Sequence, residues 1–476
     1  MIDKLEKAVS LGETLGANFV EVRYDNLTLR TLKRINDTWK DIISRTRSGI
    51  GITCYFEGAQ GYAFTASTES QDIEEAVKKA YKIAKTSVPA VKLKLDFDKQ
   101  APIKKRPSDG SESLVKIHPR EENLDFKIDL VNRIIASGRE HGENIINIRG
   151  LYGEFYGQKL FVNSECSKID WEFELTDLRC YVTSKTDEGN LVDGAKGVGG
   201  TNGLEIFKAP GTTPEEIGET AGSNAKEQLS AKACPAGKFR SLTENALTGV
   251  LAHESFGHLS EADFVVTGGS PLSGKIDQKL GTEYVTIIDT GKPDVAKVGG
   301  LWVPFDDQGI RGNETVIMEN GVLKNYLHNR GTAKHMNQLP TGNCRAIHFG
   351  FMPIPRMTNT YFMSGDLTEE EALEQLGTGI YAIQSAGGQV SLDGNFLFKA
   401  IRGYWVENGE KKYPIREVSL SGNILNLLSK VEGATKELEL FSGYFGGCGK
   451  DDQYPLPVGT GGPKLLFSEV TFGGKA

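Results

Sequence analysis

The chain has 476 residues, enough for two or three domains, and its 25% charged and 38% hydrophobic residues are ordinary for a globular protein. The net charge of −8 argues against binding to nucleic acid or to an anionic membrane surface, because both need a basic face. Six scattered cysteines, a charged N-terminus and the lack of an apolar membrane-length stretch predict a cytoplasmic protein with reduced thiols and no membrane partner.

The first predicted segment, residues 1–90, has the pattern of a small mixed α/β unit. The segment is predicted to begin with a helix that carries Leu5, Val9 and Leu15, and a second helix is predicted over residues 72–85. Apolar and alternating runs predict three strands, over residues 19–24, 27–35 and 49–56. The polar, proline-containing stretch over residues 88–113 is predicted to be an exposed linker.

The second predicted segment, residues 114–235, mixes both element types as well. Its helices are expected over residues 124–137 and from Thr213-Pro214, where threonine is a capping residue and proline suits the first helical position. Its strands are expected over residues 147–155, 159–163 and 171–180. The glycine-rich run over residues 197–203 is predicted to be a loop and lacks a phosphate-binding pattern.

The third predicted segment, residues 236–476, opens with a helix and continues with many short strands separated by Gly, Pro and Asn. Brief helices are expected over residues 368–376, where Thr368 and Glu371 form a capping box, and over residues 423–430. Strands and helices do not alternate strictly. The sequence therefore predicts an α+β protein: N-terminal mixed α/β segments followed by a strand-rich C-terminal domain that carries a metal-binding helix.

That helix contains the run His253-Glu254-Ser255-Phe256-Gly257-His258. Two imidazoles beside a carboxylate suit a zinc hydrolase, since neutral nitrogens hold the metal and a carboxylate takes a proton from water. The spacing is one residue longer than in H-E-x-x-H, and five residues on a regular helix rotate the side chains by about 140°. A widened π-turn would bring both rings to one side, with Gly257 absorbing unusual dihedrals. A histidine pair at the end of a buried helix, without metal, is the alternative.

A third ligand must come from elsewhere in the chain. The candidates are the remaining histidines, nearby acids and the cysteines: His328, His335, His348, Glu261, Asp263 and Cys448 among them. Cys448 is flanked by glycines that allow close backbone approach, although a small apolar thiol in a glycine-rich turn fits the same pattern. Glu261 and Asp263 are candidates to orient a ligand histidine, and Arg356 and Asn359 to bind a peptide, or else to form structural contacts.

Several separated runs carry a family resemblance. They are HESFGHLSEAD over residues 253–263, Cys448-Gly449-Lys450 with PVGTGGP over 457–463, and shorter runs over 355–361, 387–390, 402–409 and 472–474. In these runs the chain resembles the TldD/PmbA metalloprotease family over nearly its full length. It resembles the catalytic TldD side, because the PmbA side lacks the histidine motif.

The resemblance implies that His253, His258 and Cys448 bind one zinc ion per active subunit and that Glu254 is the catalytic base. It implies a zinc-dependent peptidase that uses metal-activated water on small, unfolded or extended peptides, including peptide precursors. A dimer is expected, either a heterodimer with a non-catalytic PmbA-like subunit or a homodimer. A zinc hydrolase of a non-peptide amide and a non-catalytic scaffold with structural metal are the alternatives.

Overall fold

The computed structural model describes residues 1–96, 98, 100–105, 115–292, 299–391 and 393–473. Residues 106–114, which include the end of the predicted linker and the start of the second predicted segment, lie outside the described residues. So does Gly474, the last residue of the closing family motif.

The N-terminal half is built on one sheet with helices packed against it. Its strands are β1 (Phe19–Ile35), β2 (Thr38–Phe56), β3 (Ala59–Thr65), β4 (Lys104–Lys105), β5 (Ile145–Asn163), β6 (Lys168–Lys185) and β7 (Leu191–Gly200). Its α-helices are α1 (Ile2–Thr14), α2 (Ser70–Ser87), α3 (Leu124–Arg139) and α4 (Pro214–Gln228). Short 3-10 helices cover Val88–Ala90, Pro119–Glu121 and Leu204–Lys208. The strand order is β3-β2-β1-β5-β6-β4, with β7 also paired to β6.

This sheet joins the first two predicted segments, because β1 pairs with both β2 and β5. Two-sided pairing explains why the strands predicted over 19–24 and 27–35 form one continuous strand, since polar Asn26 has backbone partners on both sides. Residues 197–200 of the predicted glycine loop also belong to a strand, because β7 pairs with β6 up to Gly200. The buried faces of α1 and α2 form one apolar core on the sheet, and those of α3 and α4 form another.

The C-terminal half contains many short strands, as predicted. They are β8 (Lys232–Ala233), β9 (Gly237–Thr243), β10 (Ile287–Thr290), β11 (Glu314–Glu319), β12 (Val322–Leu323), β13 (Cys344–Arg345), β14 (Ile354–Pro355), β15 (Asn359–Phe362), β16 (Gly379–Val390), β17 (Asn395–Glu407), β18 (Glu410–Arg416), β19 (Ser419–Asn423), β20 (Val431–Ala434), β21 (Glu439–Phe441), β22 (Cys448–Lys450), β23 (Gln453–Leu456), β24 (Gly459–Gly462) and β25 (Leu465–Gly473). The α-helices are α5 (Asn245–Leu251), α6 (Ala262–Val266), α7 (Arg330–His335), α8 (Glu369–Leu376) and α9 (Ile424–Leu428).

Two sheets dominate this half. In the larger sheet, five strands pair in the order β16-β9-β25-β19-β17. Because β16 also pairs with β17, these five strands form a closed ring. The smaller sheet has the order β12-β11-β10-β15-β24-β21. Helix α5 lies between them, and its Leu247 and Leu251 are buried in the main core of this half. The capping box at Thr368 is present as predicted, and the helix predicted to open at Thr213-Pro214 begins there with a capping box of its own.

The α+β class is confirmed by this arrangement of segregated strands and helices. Within the described ranges, no helix combines the length and apolarity needed to cross a bilayer. The cytoplasmic location stays a prediction from the sequence.

Candidate metal centre

The two motif histidines lie on a helical segment that changes its geometry partway. Helix α5 is capped by Glu244, whose side chain accepts a backbone N–H bond. The helix continues as a π-helix over Ala252–Gly257 and ends in a 3-10 turn over His258–Ser260. Because the π-turn is wider by one residue, positions five apart face the same side, and the rings of His253 and His258 have centroids 5.1 Å apart. The predicted widened turn is confirmed.

Gly257 is required here for a steric reason. Its φ of −56° and ψ of −63° are ordinary helical values, so the prediction that it absorbs unusual dihedrals is wrong. A Cβ atom on Gly257 would instead lie 1.8 Å from the sulfur of Met357, which is fully buried. Glycine therefore allows the segment just before His258 to pack directly against Met357.

Cys448 approaches the histidines from a distant hairpin formed by β22 and β23. Its sulfur lies 3.3 Å from Nε2 of His258, and one ligand atom from each of His253, His258 and Cys448 lies within 4.8 Å of the others. His253 and Cys448 are buried, and the side chain of His258 is 19% exposed. Among the residues with described positions, this is the one such group of three or more potential ligands. Two imidazoles and a thiolate leave a fourth position for water on a tetrahedral ion, so the donor set fits a catalytic metal.

The three side chains also shift one another's ionisation. Burial opposes ionisation of the Cys448 thiol, but His253 and His258 outweigh it and lower the pKa of the thiol to about 5. Burial likewise opposes the charged form of His258, whereas Glu261 and Cys448 outweigh it and raise the pKa of this imidazole well above its usual value. The sulfur is therefore ionised at neutral pH, which is the form that binds metal.

Glu261 is the residue that links the two parts of this centre. Its side chain is fully buried, and one carboxylate oxygen lies 3.2 Å from Nδ1 of His258. The same oxygen lies 3.1 Å from the ammonium of Lys450, which belongs to the strand that carries Cys448. Arg356, also fully buried, donates a hydrogen bond of 2.8 Å to the carbonyl of Cys448 and lies 4.0 Å from Glu261. One buried carboxylate thus connects the histidine segment to the cysteine hairpin.

Of the two acids proposed to orient a histidine, Glu261 contacts His258 and Asp263 does not. Asp263 instead accepts a hydrogen bond of 2.7 Å from Lys450. Asn359, a candidate for peptide binding, makes structural contacts instead, because its amide donates to the carbonyls of Thr290 and Leu301 inside the fold. Arg356 likewise contacts groups inside the protein, and of the two residues only Arg356 adjoins the metal centre.

The other histidines lie apart from this cluster. Three of them were candidate ligands: His328, whose Nδ1 contacts Thr332; His335, at the exposed end of α7; and His348, whose Nδ1 accepts the N–H of Gly350. Burial lowers the pKa of both His328 and His348 to about 4, which keeps them neutral. Glu254 follows His253 directly and is half-buried.

Comparison with known proteins assigns the chain to a family. The model of the PmbA/TldA metallopeptidase C-terminal domain matches residues 236–474, and those of domain 1 and the central domain match residues 20–84 and 117–229. The chain belongs to the PmbA/TldD family. It is a metallopeptidase, as the resemblance of its sequence motifs implied.

Two relatives match nearly the full length of the chain. A metalloprotease of Methanocaldococcus jannaschii is 35% identical over 97% of each chain. A protein of Saccharolobus solfataricus named a zinc metalloprotease TldD homolog is 27% identical over 98% of this chain and 99% of its own.

Solved structures show the same fold at lower identity. A Thermotoga maritima protein described as a proposed modulator of DNA gyrase has a TM-score of 0.79 at 22% identity, covering 99% of this chain and 100% of that one. TldE from Thermococcus kodakarensis has a TM-score of 0.76 at 17% identity, with the same coverage of both chains. The architecture is therefore that of the family.

Proposed function

We propose that this chain is a zinc-dependent peptidase of the catalytic, TldD-like side of the family, with His253, His258 and Cys448 as zinc ligands. The observation that carries the proposal is the convergence of these three donor atoms within 4.8 Å. On a regular helix the two imidazoles would point in different directions. The π-helix turns both rings to the same side, as binding of one ion by both requires. The name of the Saccharolobus relative supports zinc as the metal.

Zinc held there would supply a Lewis acid that polarises the substrate carbonyl and acidifies a coordinated water. Glu261 accepts a hydrogen bond from the Nδ1–H of His258, which leaves the lone pair of Nε2, the atom next to the sulfur of Cys448, free for the metal. Glu254 is the general base that takes a proton from the attacking water and returns it to the leaving amine. The protein thereby provides both proton transfer and the orientation of its ligands.

The substrate class follows from how deeply the donors lie. His253 is 5% exposed and Cys448 is 2% exposed, so a peptide bond reaches them only if the main chain enters the protein. An extended or unfolded peptide enters such a site, whereas a folded surface does not. Small, unfolded or extended peptides, including peptide precursors, are the substrates we propose.

We also infer that the active particle is a dimer, with a non-catalytic PmbA-like chain as the partner. The likeness in fold to TldE of Thermococcus kodakarensis supports a pairing of two such chains. Light scattering of the chain alone and of a mixture with a PmbA-like chain distinguishes the heterodimer from a homodimer.

The test of the proposed function is Glu254→Gln in zinc-loaded protein. Glutamine keeps the size of the side chain but cannot accept the proton, so peptide hydrolysis should fall by about 10²–10⁴-fold while zinc stays bound. Glu432→Gln is a matched control, because Glu432 is also half-buried but pairs with Arg240. Full activity of the Glu254 variant would show that another group is the base.

A further inference from the structure

A cavity lies between the N-terminal sheet and the C-terminal half of the molecule. It encloses about 480 Å³, including its open mouth. Phe155, Trp171 and Phe173 of the N-terminal sheet form one wall, and Phe305 contributes to the opposite one. Leu456 and Pro457, at the end of the cysteine hairpin, also line it. Because this figure includes open solvent, the closed part is far smaller than the roughly 300–1,000 Å³ of a drug-sized ligand pocket, and it has room for no more than about one side chain.

The cavity is adjacent to the metal centre through that hairpin. Leu456 is the direct partner of Cys448 in the pairing of β22 with β23. Paired residues of antiparallel strands have Cα atoms about 4.5–5.5 Å apart, and an extended peptide advances about 3.3–3.6 Å per residue. The part of the cavity wall at Leu456 therefore lies about one or two residues of extended peptide from Cys448.

The charged groups in the cavity wall already have partners inside the protein. Lys159 contacts Asp307 at 2.8 Å. Both terminal nitrogens of Arg345 donate to backbone carbonyls, those of Met357 and Pro457. A charged ligand would have to break these contacts, which are costly to lose in a buried setting.

The surface that is left for a ligand is aromatic. Phe155 and Phe173 pack edge-to-face with ring centroids 5.0 Å apart, and Trp171 and Phe305 are 6.2 Å apart. Aromatic faces bind apolar side chains by burial and by ring packing. The wall is therefore complementary to an apolar side chain.

We propose that this cavity is a specificity subsite that binds one bulky apolar side chain of the peptide, of leucine to phenylalanine size, one or two residues from the bond that is cut. This rests on the proposed peptidase function and adds to it a preference among peptides. Trp171, Phe173 and Phe305 are the residues that determine the preference.

The kinetic test compares peptides that differ only at the positions next to the cleaved bond. In zinc-loaded protein, kcat/KM for Leu or Phe at one of these positions should exceed that for Ala by about 10-fold or more. Ala346→Leu, which fills the cavity, should reduce this ratio about 10-fold, and Phe173→Leu, which enlarges it, should shift the preference toward larger side chains. Because each ratio is measured within one variant, it does not depend on how much protein is folded.

Phe207→Leu is the matched control, since Phe207 is equally buried but belongs to the core beneath α3 and α4. Its ratio should equal that of the wild type. Equal rates for Leu, Phe and Ala peptides in the wild type, or an unchanged ratio in Ala346→Leu, would overturn the subsite.

A second measurement does not need turnover. The zinc-loaded Glu254→Gln protein is irradiated with a peptide that carries a diazirine analogue of leucine, and the crosslinked residues are mapped by mass spectrometry. Crosslinks to Trp171, Phe173 or Phe305 support the subsite, and crosslinks only elsewhere refute it. If the wild type hydrolyses no peptide, the proposed function fails, and the crosslinks still decide whether the cavity binds the side chain.

Discussion

Replacing Glu261 by Gln should weaken zinc binding without removing a ligand. The carboxylate is fully buried and faces two donors, Nδ1 of His258 at 3.2 Å and the ammonium of Lys450 at 3.1 Å. Glutamine retains one acceptor oxygen but no charge, so the hydrogen bond to the histidine is weakened. A hydrogen bond to a charged group contributes about 1.5–3 kcal/mol, which sets the upper limit of the loss. Loss of such a supporting contact typically lowers metal affinity about 10–100-fold, or about 1.4–2.7 kcal/mol. The two estimates agree.

The assay is competition for zinc against a chromophoric chelator, with thermal unfolding measured in parallel. Glu154→Gln is the matched control, because Glu154 is also fully buried and accepts from Lys127 at 2.9 Å, but it lies in the N-terminal sheet. Both variants should lose stability, because each leaves a buried lysine with a weaker partner. Only Glu261→Gln should lose zinc affinity. Equal zinc affinity in the two variants would refute the positioning role of Glu261.

Two further predictions concern the same centre. Gly257→Ala should lower the melting temperature and the zinc affinity, because the added methyl group meets the sulfur of Met357. Combining it with Met357→Ala should restore part of both. If the effects of the two changes simply add, the steric explanation is wrong. Cys448→Ala should strongly reduce zinc content measured by elemental analysis, whereas Cys234→Ala, a change of another buried cysteine, should leave it unchanged.

The parts of the site that are local in sequence could be predicted from the residues themselves. Cys448, which is distant, was assigned through the family resemblance, and the other distant contacts discussed below could not be predicted. The separation of His253 and His258 by five residues required a widened turn, because rotation per residue on a helix is fixed. The capping box at Thr368 was predictable for the same reason, since a cap involves residues three apart.

Gly257 shows why other features of the site could not be predicted from the sequence. Its residue type suggested unusual dihedrals, but the cause is Met357, one hundred positions later, whose placement depends on the whole domain. Arg356 and Asn359 show the same limit. Their polar side chains suggested substrate binding, and only tertiary packing revealed that backbone carbonyls inside the protein already accept their hydrogen bonds.

The cysteine hairpin lies 190 residues after His258 in the chain. Bringing two points together across a loop of that length costs on the order of 5 kcal/mol of chain entropy, which the contacts of the folded domain offset. On the proposed ligand set, a chain that has emerged during synthesis only as far as its histidines has no third ligand. Peptidase activity would then begin only when the domain has been completed, and the newly made polypeptide would not be exposed to its own unfinished active site.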